Sequence, residues 1–472
     1  MQPPPPPPVL VAPTRRSSAI FLKLSGIGLL ILLLQIPLFL TDGVLVERRD
    51  YQRQATAEIA GIWGADQRVT GPVLAIPYAY PTQVIRSKVV AGKVVQVEET
   101  DLATATAYFL PETLTAGGPV EPEVRHRGIY DVVVYTTRLR LTGHFRPDFS
   151  AAGIAVERID WQKARVLLGV SDLRGVRSVS PLQFADSKAC PFESADSTAG
   201  EFLPLVARVE NAAADTRLEF AFEVALQGSE RLQIAPVGKV TTVALSSSWP
   251  DPSFGGACLP VKRSVSSDGF KAEWETSHFS HGFPQSWTSR LINSPEMLRK
   301  IDAACFGVTF AQPVDGYRLA ERAEKYGLLF FVLVFAMFFL FEVTAALRIH
   351  PLQYALVGAA LCLFFLGFLA LSELMAPGLA YGAAAAACTA LVSLYAWSFL
   401  RTGLRTLIIG GGLSATYGYL YFVIQSQDYA LVAGSAALFA LLALVMFCTR
   451  RINWYTLDAN PSAPRPVPAA QT

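Results

Sequence analysis

The stretch YGLLFFVLVFAMFFLFEVTAALRIHPLQYALVG, residues 326–358, holds two apolar blocks split by Arg348, His350 and Pro351. Each block is about as long as the roughly 20 residues a helix needs to cross a hydrocarbon core. Inside the first block stands one carboxylate, Glu342. The stretch therefore reads as two membrane-spanning helices joined by a short charged turn, with a charge that needs an explanation.

The whole chain agrees with that reading. Of its 472 residues, 52% are hydrophobic and only 17% charged, against roughly 25% charged in an ordinary soluble domain. Mean hydropathy is +0.35. The net charge of +2 gives no electrostatic footprint for nucleic acid. The apolar residues gather in one segment near the N-terminus and in the last third. Residues 42–326 between them have the composition of a water-soluble domain.

The N-terminus opens MQPPPPPPVLVAPTRRSS. Its proline run reads as an extended, solvated tail over 1–19. Arg15, Arg16 and Lys23 then flank LSGIGLLILLLQIPLFLT, residues 24–41. A cleaved secretory signal would have a shorter apolar core and a small-x-small cleavage site. TDGVLVERRD offers no such site, so 20–41 reads as an uncleaved anchor helix. Five further stretches have spanning length: about 327–347, 352–371, 377–400, 404–424 and 429–449. Six spans put both termini on one side. Arg15, Arg16, Arg348, Arg401, Arg405, Arg450 and Arg451 cluster on that side, whereas the opposite short loops carry Glu373 and Asp428 and no Lys or Arg. The positive-inside rule makes that side cytoplasmic. Residues 42–326 then lie in the periplasm, 327–449 form a five-helix bundle, and 450–472 form a cytoplasmic tail.

On this orientation Glu342 sits about 8 Å from the cytoplasmic end of its span, at 1.5 Å per residue. Two readings of it compete. It is a carboxylate hydrogen-bonded to a neighbouring helix, or reaching toward Arg348 or the interface. Alternatively it is a proton or ion site, the default hypothesis for an intramembrane charge. The other five spans hold no second carboxylate at depth, which favours the first.

The segment 42–326 begins with helical spacing: Val44, Tyr51, Ala55, Ile59 and Ile62 continue the anchor helix outward as a stalk. After RVTGP the period changes to two. In VVVYTTRLRLTGHF, Val133, Tyr135, Thr137, Leu139, Leu141 and Phe145 face one way, and Arg138, Arg140, Thr142 and His144 the other. TRLEFAFEVALQG and GFKAEWETSHF repeat the alternation. Such strands bury one face, as antiparallel sheets do. The turn-rich segments AGGPVEP, SDLRG, WPDPSFGG and SSDG punctuate them. The expected fold is a mainly-β, sandwich-like domain, with the polar stretch SKACPFESADSTAGE near residue 190 as a possible subdomain boundary. Cys362, Cys388 and Cys448 fall in spans and act as small apolar residues. Cys190, Cys258 and Cys305 fall in the exposed domain, where three thiols allow at most one bridge within a monomer.

Several long blocks are similar to a known family. LQGSERLQIAPVGKVTTVALSSSWPDPSFGGACLP (226–260), FGVTFAQPVDGYRLAERAEKYGLLFFVLVFAMFFLFE (306–342), IHPLQYALVG (349–358) and QSQDYALVAGSAALFALLALVMFCTRRINWY (425–455) resemble the CreD inner-membrane proteins of Gram-negative bacteria, also called cell envelope integrity proteins. The resemblance runs from the first span to Tyr455. It implies an envelope-stress protein whose expression answers a two-component system linked in some bacteria to the β-lactam response. It supplies no catalytic residue and no ligand.

Candidate chemistry is sparse. His278 and His281 could share a metal with Glu273 and Glu275 nearby, but zinc wants three or four convergent ligands, and the two carboxylates point to the opposite strand face. GGLSATYG (411–418) carries a serine in a span, yet no span offers it a histidine base. No phosphate loop of the G-x-x-x-x-G-K-[ST] type is present. WPDPSFGG (249–256) reads as a shaped corner. Its alternative is a recognition loop presenting Trp249 and Phe254 to a partner.

The expected protein is therefore a six-span inner-membrane protein without a catalytic set, cofactor or metal. Its partners are the bilayer and, through the β-domain, other envelope proteins. The rival reading is a transporter or channel built from the helix bundle. Against it stand the sparse intramembrane charge and the lack of a matched pair of broken helices.

Overall fold

The computed structural model describes residues 17–450, apart from 91–92, 151, 153–156, 185–188, 196–202, 210–216, 293, 311–315, 345–348, 401 and 427–428. The proline tail, Arg348, Arg401, Asp428 and the segment from 451 onward thus lie outside the described residues, as does part of the polar stretch near residue 190. The chain divides into two compact units. One comprises Met1–Tyr51 and Val314–Thr472, the other Gln52–Pro313.

The first unit is helical. Helix α1, Ser17–Trp63, runs unbroken through the apolar segment and beyond it, with Pro37 inside; its last turns belong to the second unit. The other helices of the first unit are α3 (Gly316–Lys325), α4 (Gly327–Thr344), α5 (Pro351–Ser372), α6 (Pro377–Leu400), α7 (Gly403–Gln425) and α8 (Ala430–Thr449), while α2 (Ser294–Ala303) lies in the second unit. Among the described residues α1, α5, α6 and α7 are long and apolar enough to cross a membrane. The pair α3–α4, bent by 55°, makes a fifth if counted as one span, and α8 contributes a shorter apolar stretch, Leu431–Phe447.

The start of α5 follows from its sequence. His350 caps the helix by accepting from the Leu352 N–H at 3.2 Å, and Gln353 accepts from the His350 N–H at 2.9 Å. Pro351 takes the first turn, where its missing donor costs nothing. Helix α1 packs close to α5 at Gly358, where a Cβ would stand 2.4 Å from a Leu34 methyl. Small residues allow this approach in lipid. Aromatic rings fill the bundle centre: Phe364 packs on Tyr417 at 4.6 Å and on Phe365 at 5.1 Å between centroids.

The second unit is mainly β. Among the described residues one sheet has ten strands and the other eight. In the larger, the long strand Gln67–Val90 pairs antiparallel with Lys93–Phe109 and with Arg165–Val170. In the smaller, Tyr130–Phe145 lies between Thr113–Arg127 and Leu218–Ser229. The alternation read from the sequence holds here: Val133, Tyr135, Thr137, Leu139, Leu141 and Phe145 are all buried while Arg138 and Arg140 are exposed. The expectation of antiparallel sheets needs one correction in each. Gln67–Val90 pairs parallel with Arg231–Ile234, and Val240–Ser247 pairs parallel with Thr113–Arg127. A half-buried strand alternates in either direction, so the pattern carries no information about its neighbour's polarity. One hydrophobic core draws on both sheets, with Tyr135, Phe145, Trp274 and Phe306 fully buried in it.

The end of α1 is fixed within this unit. Trp63 lies under Arg125, with 4.2 Å from guanidinium to ring centroid, and Arg174 donates to the Gly61 carbonyl at 2.9 Å. Asp172 accepts from the Ala65 N–H at 3.0 Å and binds Arg174 through two nitrogens at 2.9 Å. Gly64, at φ +133°, turns the chain where a Cβ would meet the Gln227 carbonyl at 2.8 Å; only glycine adopts that conformation cheaply. Cys190, Cys258 and Cys305 are unbridged. Burial pushes the Cys258 thiol up to about 11 and the Cys305 thiol up to about 12.

Candidate functional site

Glu342 lies on the last turn of α4 and is 8% exposed. Three elements aim donors at it. From α1, the Lys23 ammonium pairs with its Oε1. From the connection into α5, the Ile349 N–H donates to the same oxygen at 3.2 Å. From α5, the Tyr354 hydroxyl donates to Oε2 at 2.9 Å. Lys23 also donates to the Ile349 carbonyl at 3.0 Å and lies 5.8 Å from the Tyr354 ring centroid.

The local sequence explains each placement. Lys23 precedes the apolar run of α1, so its long stem can lie along the bundle while its head stays near the helix end. Glu342 closes α4, two residues from its end, and the Ile349 N–H lies just ahead of α5. Tyr354 sits on the first turn of α5, whose start is fixed by the His350 cap. The cluster carries one positive and one negative charge, and both carboxylate oxygens have donors. Chemically it is a neutral clamp that ties the ends of α1, α4 and α5 together. A buried pair of this kind contributes less to net stability than to fixing one arrangement, because desolvation offsets much of its attraction.

Of the partners the sequence offers Glu342, a neighbouring helix is the one seen, through Lys23 and Tyr354, while Arg348 lies outside the described residues. In the sequence Lys23 reads only as a flanking charge of the first span, and nothing marks Tyr354. A lone cation at the mouth of one span and a lone carboxylate in another was the available signal.

The other candidate residues lie in the β-rich unit. The His278 ring packs on Phe279 at 3.9 Å between centroids, and the His281 ring stacks on Phe283 at 3.7 Å with 10° between planes. Burial lowers the His281 pKa, against a backbone hydrogen bond at Phe283 that raises it. Glu273 is paired with Lys262 at 3.2 Å, away from the histidines. Among the described residues no three His, Cys, Asp or Glu side chains converge as a metal site. Trp249 and Phe254 are partly buried and turn inward. Trp249 meets Phe310 edge-on at 6.5 Å, and Phe254 meets Phe270 at 5.4 Å and Trp274 at 5.6 Å. These contacts anchor the corner to the core, in keeping with the reading of WPDPSFGG as a shaped corner rather than with its alternative, a recognition loop.

Comparison with known proteins fits this architecture. The family described as inner membrane protein CreD matches residues 19–455. Inner membrane protein CreD of Escherichia coli (strain K12) is 31% identical over 451 residues, covering 93% of this chain and 95% of that protein. The match takes in the helical unit, the β-rich unit and the Lys23–Glu342–Tyr354 cluster. With its apolar helices in contact with the lipid bilayer and its large β-rich unit, the chain belongs to the CreD family of inner-membrane proteins.

Proposed function

We propose that this protein supports cell envelope integrity by binding or scaffolding, not by catalysis, and that its β-rich unit does the binding. In this reading six spans place both termini in the cytoplasm and residues 42–326 in the periplasm as a sandwich-like domain. The apolar character of α4 and α8 and the arginine asymmetry support the six spans. Family membership supports the envelope context.

The observation that carries the binding role is an open sheet edge. The strand Lys262–Ser266 ends the eight-stranded sheet, and all five of its residues are exposed. It pairs with Gly269–Ser277 on one side. A groove of about 530 Å³ lies on the sheet face inward of this edge, lined by Gly118, Pro119, Lys262, Arg263 and Lys271 among others. An edge of this kind offers unpaired backbone groups to an extended segment, which adds as a further strand. Lys262 and Arg263 keep the edge from pairing with itself and favour an acidic segment of another envelope protein.

A photo-reactive residue at Val265, activated in the native envelope, tests this. It should yield a discrete crosslinked product that is absent when the same group stands at Ile85, an exposed position on the other sheet. Identical products from both positions, or none from Val265 while the protein is functional, would exclude the edge as the binding face. The rival reading, a transporter or channel, has less support: the buried carboxylate of the bundle is neutralised by Lys23 and held by two further donors.

A further inference from the structure

Within the helical unit, α1 and α3 bound a second polar feature at the end opposite to Glu342. A cavity of about 800 Å³ opens between them. Leu38, Phe39 and Leu45 of α1 form its apolar wall, and Asp42, Arg49, Glu321, Glu324 and Lys325 its charged rim. Two cations of that rim hold Glu321, Arg49 through Nη1 at 2.5 Å and Lys325 at 2.6 Å. Glu324 is different. It is only 9% exposed, it faces the cavity, and neither of its carboxylate oxygens has a hydrogen-bond partner.

An ionised carboxylate left dry and unpaired is expensive. Burial, then the Asp42 and Glu321 charges, push the Glu324 carboxyl up to about 8, so it avoids that cost near neutral pH by holding its proton, which an arriving cation would displace. The group belongs to α3, ahead of the apolar run of α4, where polar and apolar surroundings meet. The ligand that would relieve it carries N–H donors and a positive charge. The wall below the rim is apolar and continuous with the exposed residues Ile36 and Leu40 on the span of α1, so the same ligand carries a hydrocarbon chain. Arg49 meets Glu321 through Nη1, and its other guanidinium N–H groups complement a phosphodiester.

We propose that this cavity binds a membrane phospholipid with a primary-amine headgroup. The ammonium donates to Glu324, the phosphate lies toward Arg49, and one acyl chain runs along Leu38 and Phe39.

Native mass spectrometry of the purified full-length protein, delipidated and offered equal amounts of phosphatidylethanolamine and phosphatidylcholine, tests this. N-methylation removes every N–H donor while keeping charge and chains, so the two lipids isolate the proposed contact. Phosphatidylethanolamine adducts should exceed phosphatidylcholine adducts by about tenfold, the scale of one charge-assisted hydrogen bond. Glu324→Gln should erase the preference, and Glu98→Gln on the β-rich unit should leave it intact. Equal retention of the two lipids by the parent protein overturns the proposal without recourse to any variant. So does a preference that survives Glu324→Gln, or spermidine displacing the bound lipid at equal concentration.

Discussion

Replacing Glu342 separates a structural carboxylate from one that carries protons or ions. In Glu342→Gln the amide oxygen can take the place of Oε1 before Lys23 and the Ile349 N–H. The amide nitrogen then faces the Tyr354 hydroxyl, which can turn to accept. The shape and all three contacts survive, and only the ion pair is lost. In Glu342→Leu the Lys23 ammonium, the Ile349 N–H and the Tyr354 hydroxyl all lose an acceptor. Breaking a fully buried pair costs about 3–5 kcal/mol. The Lys23 side chain is 26% exposed against 9% for Glu342, so partial hydration of the surviving ammonium reduces that. We expect about 1 kcal/mol for Gln and about 2–4 kcal/mol for Leu. Adding Lys23→Met to Glu342→Leu should recover part of the loss, because the stranded charge goes with it. The assay is the midpoint of denaturant unfolding in detergent, paired with detergent or β-lactam sensitivity of cells at equal membrane levels. A clamp gives the order parent, Gln, double variant, Leu in both readouts. A Glu342→Gln protein that is stable and abundant yet functionally dead would refute the clamp and move the reading to a transporter, since Gln cannot ionise.

Three further outcomes follow from other parts of the molecule. Asp172→Ala removes the acceptor for the Ala65 N–H and the partner of Arg174, and should destabilise the β-rich unit by about 1–3 kcal/mol. The hydrogen bond from Arg174 holds the Asp172 carboxyl below its usual range. Its contribution is therefore present above the unfolded carboxylate value of about 3.9 and lost as pH falls through the lower folded value. The gap in melting temperature between parent and variant should persist at pH 5 and close only under stronger acid. A phosphatase reporter fused after Glu373 or Asp428 should be active and one after Arg401 or Arg451 inactive; the reverse at either pair excludes six spans with cytoplasmic termini. Without denaturant, partly exposed Cys258 should react with a thiol reagent before buried Cys190 and Cys305, and faster as pH rises toward its raised pKa; equal rates for all three would contradict their burial.

Much of the β-rich unit was legible because its strands bury one face. Tyr130–Phe145 and Leu218–Ser229 wrote their alternation into the sequence, and the structure pairs them along their length. What escaped was anything that depends on which segment lies beside which. The two parallel pairings are invisible to alternation. The Lys23–Glu342 pair joins residues 319 positions apart, and no local pattern links them. Trp249 and Phe254 left a recognition loop open beside the corner for a related reason. Aromatic residues in a Pro- and Gly-rich turn look exposed until the strand Phe306–Phe310, whose Phe310 receives Trp249, is placed beside them. Glu324 was hidden in an amphipathic helix whose other charges are solvated or paired, so its burial could not be inferred from its neighbours.

The charged side chains that α1 brings to the helical unit sort to two levels. Lys23 stands at one, Asp42 and Arg49 at the other, and 19 residues between Lys23 and Asp42 amount to about 28 Å of helix, close to the thickness of a hydrocarbon core. Between these levels α1 offers Leu34 to Gly358 and little that can hydrogen-bond. Apolar packing of this sort has no strong register of its own in lipid, where a leucine gains little by leaving the acyl chains. Register must come from the ends. The Lys23–Glu342–Tyr354 clamp supplies it at one level through a pair that is neutral overall. The Arg49–Glu321–Lys325 set supplies it at the other and is also paired. Glu324 contributes nothing to that task, since it holds no partner. A buried carboxylate that does not hold the helices together, in a unit whose other buried carboxylate does, is the residue whose presence most needs a ligand to explain it.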